Sequence, residues 1–165
     1  MRALAHAPLL VCLALGCTTT AGLFPDGERQ AVAKAVDAAM RDALARLDTL
    51  DGPGLDTVFL NHPDVLNVVD TVITQGYTAL NGYFSAALQA ARGIDSTRFE
   101  SLQVFPLAPN AAVAVARFHE IIVLQDGTRI RDRGVWSATF LKQAGTWKMV
   151  TAHVSHAPGP PAILD

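Results

Sequence analysis

Three side chains with complementary chemistry fall in the last third of the chain: the guanidinium of Arg117, the indole of Trp136 and the imidazole of His153. They lie on strand-like runs joined by two turn signals, Asp126-Gly127 and Ala144-Gly145. If each turn is a two-residue hairpin loop, counting outward sets Arg117, Trp136 and His153 in one row on one face of a sheet. A cation, an indole and an imidazole side by side predict the wall of a ligand pocket. His153 is then the candidate catalytic acid or base near neutral pH, with a satisfied core histidine as the alternative. Arg117 on an apolar face requires an anion, either Asp70 or Asp37 from within the chain or a carboxylate on a ligand. His119, two residues further, and Tyr77, on a helix upstream, complete the candidate pocket.

Other chemistries have little support. His119 and His153 sit on strands that are not adjacent, and no carboxylate joins them at ligand spacing, so neither a metal nor a cofactor is expected. Ser155 has only His153 on its own strand, roughly 7 Å away, which gives a nucleophile no activating base.

The chain that must position these residues has 165 residues, half of them hydrophobic, enough for one domain with a substantial core. With 17% charged residues and a formal net charge of −2, it offers no basic face for a phosphate backbone and no polybasic run for anionic lipid, so nucleic acid is not an expected partner and a membrane is expected to be met only through an N-terminal lipid. Leu9 to Leu15 is almost wholly apolar and follows Arg2, but is too short to span a bilayer, which needs about 20 apolar residues. It reads as a secretory signal over residues 1–17. Its end, Leu13-Ala14-Leu15-Gly16-Cys17, resembles the bacterial lipoprotein signal, in which small residues precede a cysteine that is lipidated. Cys17 is then the lipid attachment site, residues 18–27 a tether, and the location the bacterial cell envelope, facing the periplasm or the cell surface. The alternative is cleavage near Thr19-Thr20-Ala21, leaving a secreted domain. The only other cysteine, Cys12, lies inside the signal, so the mature chain can form no internal disulfide.

From Glu28 to Leu50, Val32, Val36, Met40, Ala43, Leu47 and Leu50 recur at helical spacing. Leu55, Val58 and Phe59 predict a further turn or two. Val65 to Thr74 reads as two short strands, or one bent strand, broken at Asp70-Thr71. Gly76 opens a second long helix to Ala91, with Tyr77, Leu80, Phe84 and Leu88 on its apolar stripe. Arg98 to Phe105, Ala111 to Gln125, Thr128 to Lys142 and Trp147 to His156 read as strands. Residues 157–165, with three prolines, are expected to be a loose tail. Alternation places Val113, Val115, Arg117 and His119 with Trp136, Met149 and His153 on a concave face. The other face, with the row Glu120, Arg133 and His156, is assigned to a homodimer interface.

Several of these features resemble the nuclear transport factor 2-like superfamily, in particular its SnoaL-like group. They are Arg133-Gly134 leading to Trp136, then Phe140-Leu141-Lys142, the Gly145 turn, Trp147-Lys148-Met149-Val150 ending in His153-Val154-Ser155, and upstream Gly76-Tyr77-Thr78-Ala79-Leu80. The resemblance covers residues 28–156. It implies an α+β fold, a cone of curved antiparallel sheet wrapped around about three N-terminal helices, and dimerisation. It implies no single function. The expected role is a lipid-anchored domain binding a small, partly apolar molecule, with an anionic group admitted by Arg117. The alternatives are an isomerase- or dehydratase-type enzyme using His153, and a purely structural dimerisation domain with a filled core.

Overall fold

The computed structural model describes residues 24–48, 55–159 and 161–164. The signal, Cys17 and most of the tether lie outside the described residues. Helix α1 spans Asp26–Asp48 and a single turn, α2, spans Leu55–Val58; strands β1 (Leu66–Val69) and β2 (Val72–Gln75) precede helix α3 (Tyr77–Ala90). Four long strands follow, β3 (Ala91–Ala108), β4 (Ala111–Leu124), β5 (Arg129–Gln143) and β6 (Thr146–His156), and then a short β7 (Ala162–Leu164).

The sheet runs β2-β1-β6-β5-β4-β3, curved around the helices and not closed. Its four long strands are antiparallel, as expected, but β1 lies parallel to β6, so the sheet is mixed. The break at Asp70-Thr71 is the turn of the β1-β2 hairpin, and Asp70 takes a positive φ of 51° there. That conformation is open to Asp, whose short polar side chain can bond locally. Residues 157–165 are not simply a loose tail. Beyond the point where β6 leaves it, β5 offers a free edge at Arg129–Arg131, and Ala162–Leu164 pair there.

Alternation along β4 decides which face is inside. Ala112, Ala114, Ala116 and Phe118 are buried, with Trp136, Ala138 and Phe140 of β5 beside them. Three small residues at alternate positions leave room for α1, whose Val32, Val36, Met40 and Ala43 are buried, as their spacing predicts. Leu80 of α3 is fully buried, with Tyr77 and Phe84 packed against the same core.

This is the opposite face of β4 from the expected one, and the loops give the reason. The β4-β5 connection has three residues, not two: Val123 pairs with Arg129, Leu124 N–H donates to Thr128 O at 2.8 Å, and Gly127 takes φ 88°. A three-residue loop with glycine in the left-handed region is the next commonest hairpin after the two-residue turn. One extra residue turns every β4 side chain to the other face. The β5-β6 turn does have two residues, with Ala144 and Gly145 both at positive φ and Gln143 opposite Thr146. Register then slips at a bulge: Phe140 pairs with Met149, but Thr139 pairs with Thr151. Trp136 therefore faces Ala116 and Val154, while Arg117 faces Val135 and His153 faces Ser137.

Candidate functional site

Between the helices and the concave side of the sheet is a cavity of about 380 Å³. Met40, Ala43 and Leu44 of α1 and Tyr83 and Phe84 of α3 form one wall; Phe59, Phe99, Phe118, Trp136, Met149 and Val154 form much of the rest. Phe99 and Trp136 stack with centroids 5.2 Å apart and planes 26° from parallel. The polar groups are few: Asn67, Thr97, Glu120, Asp132 and His156, with Arg46 of α1. Thr97, Glu120 and Asp132 are directly paired neighbours across β3, β4 and β5. The Thr97 hydroxyl is buried with no hydrogen-bond partner among the described residues.

His156, at the end of β6, reaches this row from the neighbouring strand. Its Nε2 lies 3.0 Å from Asp132 Oδ2 and its Nδ1 lies 2.7 Å from Asp70 Oδ2. Asp70 is held by backbone as well: its N–H donates to Val154 O, and its Oδ1 accepts the His156 N–H, both at 2.9 Å. The parallel pairing of β1 with β6 ends at Val69 and Val154, which sets Asp70 alongside His156. The imidazole also meets the Phe118 ring edge-on at 5.9 Å. Gly134, opposite both Phe118 and His156, makes this approach possible. A Cβ there would collide with the Ser155 carbonyl oxygen and lie 2.8 Å from the Phe118 ring.

Both ring nitrogens of His156 face carboxylates, and only the imidazolium donates from both. Burial is the largest single influence on its pKa and acts downward. The Asp70 hydrogen bond and the charges of Asp132, Asp70 and Glu120 together outweigh it, so the pKa is raised. Asp70 is held below the ordinary carboxylate range, chiefly by the His156 backbone N–H and then by the imidazole. Burial, helped by the Asp70 charge, pushes the Tyr83 phenol up. The wall thus favours the imidazolium form of His156 beside the carboxylate of Asp132, whose side chain is only 15% exposed.

The two shifts fix a pH window. A raised histidine pKa contributes stability fully below the unfolded value and loses it as pH rises through the folded one. A lowered carboxylate pKa contributes above its unfolded value and loses it as pH falls. The Asp70–His156 pair is therefore worth most between about pH 4 and pH 6.5. The Tm difference between the parent and Asp70→Asn is expected to be largest there and to shrink above neutrality; a difference unchanged from pH 5 to pH 9 contradicts the assignment.

Of the five residues expected to line the pocket, Trp136 does so. Arg117 and His153 are exposed on the convex face, a correction that follows from the β4-β5 loop and the β6 bulge. His119 lies on the same outer face, its Nε2 3.4 Å from Glu100. Tyr77 packs half-buried at the start of α3, outside the cavity lining. The row assigned to a dimer face is divided: Glu120 and His156 line the cavity, and Arg133 is exposed outside. Asp132 went unmarked among site residues because only register distinguishes it from its exposed neighbours. The signal available was the run of alternate alanines in β4, small enough to lie under a helix.

A helix-filled cone with its cavity opening between α1, α3 and a curved sheet is a recognisable architecture. Solved structures superpose on nearly all of it: an NTF2-like superfamily protein from Salmonella enterica serovar Typhimurium has TM-score 0.67 and 18% identity, covering 81% of this chain and 93% of that one. The chain has the nuclear transport factor 2-like fold. A hexachlorocyclohexane dehydrochlorinase, LinA-type3 from Novosphingobium barchaimii, gives TM-score 0.69 at 15% identity, covering 85% and 94%. A protein assigned as a scytalone dehydratase, from Novosphingobium aromaticivorans, gives 0.70 at 16%, covering 80% and 88%. No family model and no curated protein sequence matches the chain. What the nuclear transport factor 2-like relatives share with it is the fold.

Proposed function

We propose that the cone binds a small, largely apolar molecule and moves a proton on it, with His156 and Asp132 as acid and base. The observation that carries this reading is the imidazole placed between two carboxylates at the wall of a largely apolar cavity. Two fold relatives are named for eliminations, a dehydrochlorinase and a dehydratase; both reactions need a base to take a proton from carbon, and loss of water also needs an acid to protonate the departing oxygen. The cavity supports a bound molecule rather than a filled structural core. Glu120 and Asp132 at its polar end disfavour an anionic group on that molecule; a neutral hydroxyl or carbonyl suits the Thr97 hydroxyl and the protonated His156. Mass spectrometry of small molecules that copurify with the native protein tests this. The expected result is a neutral compound that stays with the native protein and is released on unfolding; no compound, and no thermal shift across a metabolite panel, removes the reading.

The chain is further proposed to be lipid-anchored at Cys17 in the bacterial cell envelope, on the strength of the Leu13–Cys17 motif. A homodimer is proposed on a different surface from the one first assigned. Phe105, Leu107 and Leu141 are between 39% and 48% exposed at one end of the convex face, beside half-buried Val113 and Val115. A twofold contact would cover them.

A further inference from the structure

The other end of the same convex face is basic. On β3, β4 and β5, the outward row Arg98–His119–Arg133 is flanked by Glu100–Arg117–Val135 on one side and Ser96–Ile121–Arg131 on the other. Strands are about 4.8 Å apart and alternate residues of one strand about 7 Å apart, so the four arginines surround His119 within roughly 10 Å. All four are exposed, and among the described residues none has an ion-pair partner. The acidic residue among them, Glu100, is turned toward His119. Four arginines less one glutamate give this area +3, whereas the whole chain carries −2, leaving −5 elsewhere. The near-neutral composition conceals the patch, and it overturns the expectation that the chain has no basic face.

We infer that this arginine cluster, Arg98, Arg117, Arg131 and Arg133, is a docking surface for the phosphate headgroups of an anionic phospholipid bilayer. Guanidinium forks match phosphate oxygens, and charges gathered within about one Debye length, ~8 Å at physiological salt, act on the surface together. The patch lies on a broad sheet face and not in a groove, and the exposed Val135 beside Arg117 offers an apolar contact to the interfacial region. A single-stranded nucleic acid would want aromatic rings on which to stack, and His119 is the sole ring in the three rows. A second copy is a poor occupant as well. A twofold contact centred here would set one +3 area against another, so the dimer contact belongs at the apolar end of the face.

The test uses the full chain carrying Cys17→Ser, so that no attached lipid contributes, and compares sedimentation with vesicles of phosphatidylcholine alone and of phosphatidylcholine containing phosphatidylglycerol. Preference for the anionic vesicles, weakening with added salt, is expected. Each arginine at an anionic surface is worth about fivefold in partitioning, so Arg131→Gln with Arg133→Gln should lower it about 25-fold. Arg98→Gln with Arg117→Gln, on different strands, should lower it similarly, and Lys34→Gln on α1 should leave it unchanged. Equal partitioning to both vesicle types, or both double variants binding like the parent, overturns the inference. So does displacement from the anionic vesicles by duplex DNA at equal phosphate, which would identify a nucleic-acid surface.

Discussion

Gly134→Ala is expected to lower stability by about 3 kcal/mol, at the upper end of what overpacking costs. The new methyl would meet the Ser155 carbonyl oxygen on β6, the Phe118 ring and, at 3.0 Å, the Cα of His156. A side chain could rotate away; a carbonyl held in a strand ladder cannot. In a chain of this length the loss corresponds to a Tm fall of about 6–12 °C, read by circular dichroism. Gly93→Ala is the control, since a Cβ there meets nothing within 4 Å, and it should be neutral or slightly stabilising. Equal behaviour of the two variants would mean that β5 and β6 do not approach as closely as the bulged register requires.

The second large effect concerns the proton. His156→Phe keeps a ring against Phe118 but removes the cation that faces Asp70, Asp132 and Glu120. Turnover of the compound identified in the cone is expected to fall by about 10²–10⁴-fold, the usual contribution of a positioned acid or base. Affinity should change by only a few-fold, because the apolar wall is intact. The variant should also be less stable near neutral pH and recover on acidification, as the three carboxylates lose their mutual repulsion. Asp132→Asn should reduce turnover alike. Turnover that survives either change removes His156 and Asp132 from the chemistry.

How much of this was legible in the sequence follows from the distance over which each signal acts. The α1 stripe from Val32 to Ala43, the hairpin break at Asp70-Thr71 and the Ala144-Gly145 turn are local patterns, and each occurs where it was read; Leu50, the end of the expected stripe, lies outside the described residues. The cone could be recognised from the run of strands and the motifs around Trp136 and Trp147. The site could not, because it depends on register, and register errors do not average out. Asp126-Gly127 serves a two- or a three-residue loop equally well, and the difference moved Arg117 out of the cone and Phe118 and Glu120 into it. A bulge after Met149, with no glycine to mark it, then exchanged His153 for His156. The choice of an imidazole near Trp136 as the chemical centre was sound in kind but fell three residues short of the one in the cavity. Asp70 was named as a partner for Arg117; its partner is His156, brought to it by a parallel pairing of β1 with β6 that no local pattern announces.

His156 is proposed to carry a proton at the cavity wall, between Asp132 on the cavity side and the half-exposed Asp70. Nitrogen-detected NMR of the imidazole across a pH titration measures it directly. Both ring nitrogens are expected to be protonated at neutral pH, with a pKa above that of an ordinary histidine and a downward shift of that pKa in both Asp70→Asn and Asp132→Asn. A neutral ring at pH 7, or a titration that neither substitution moves, would contradict it.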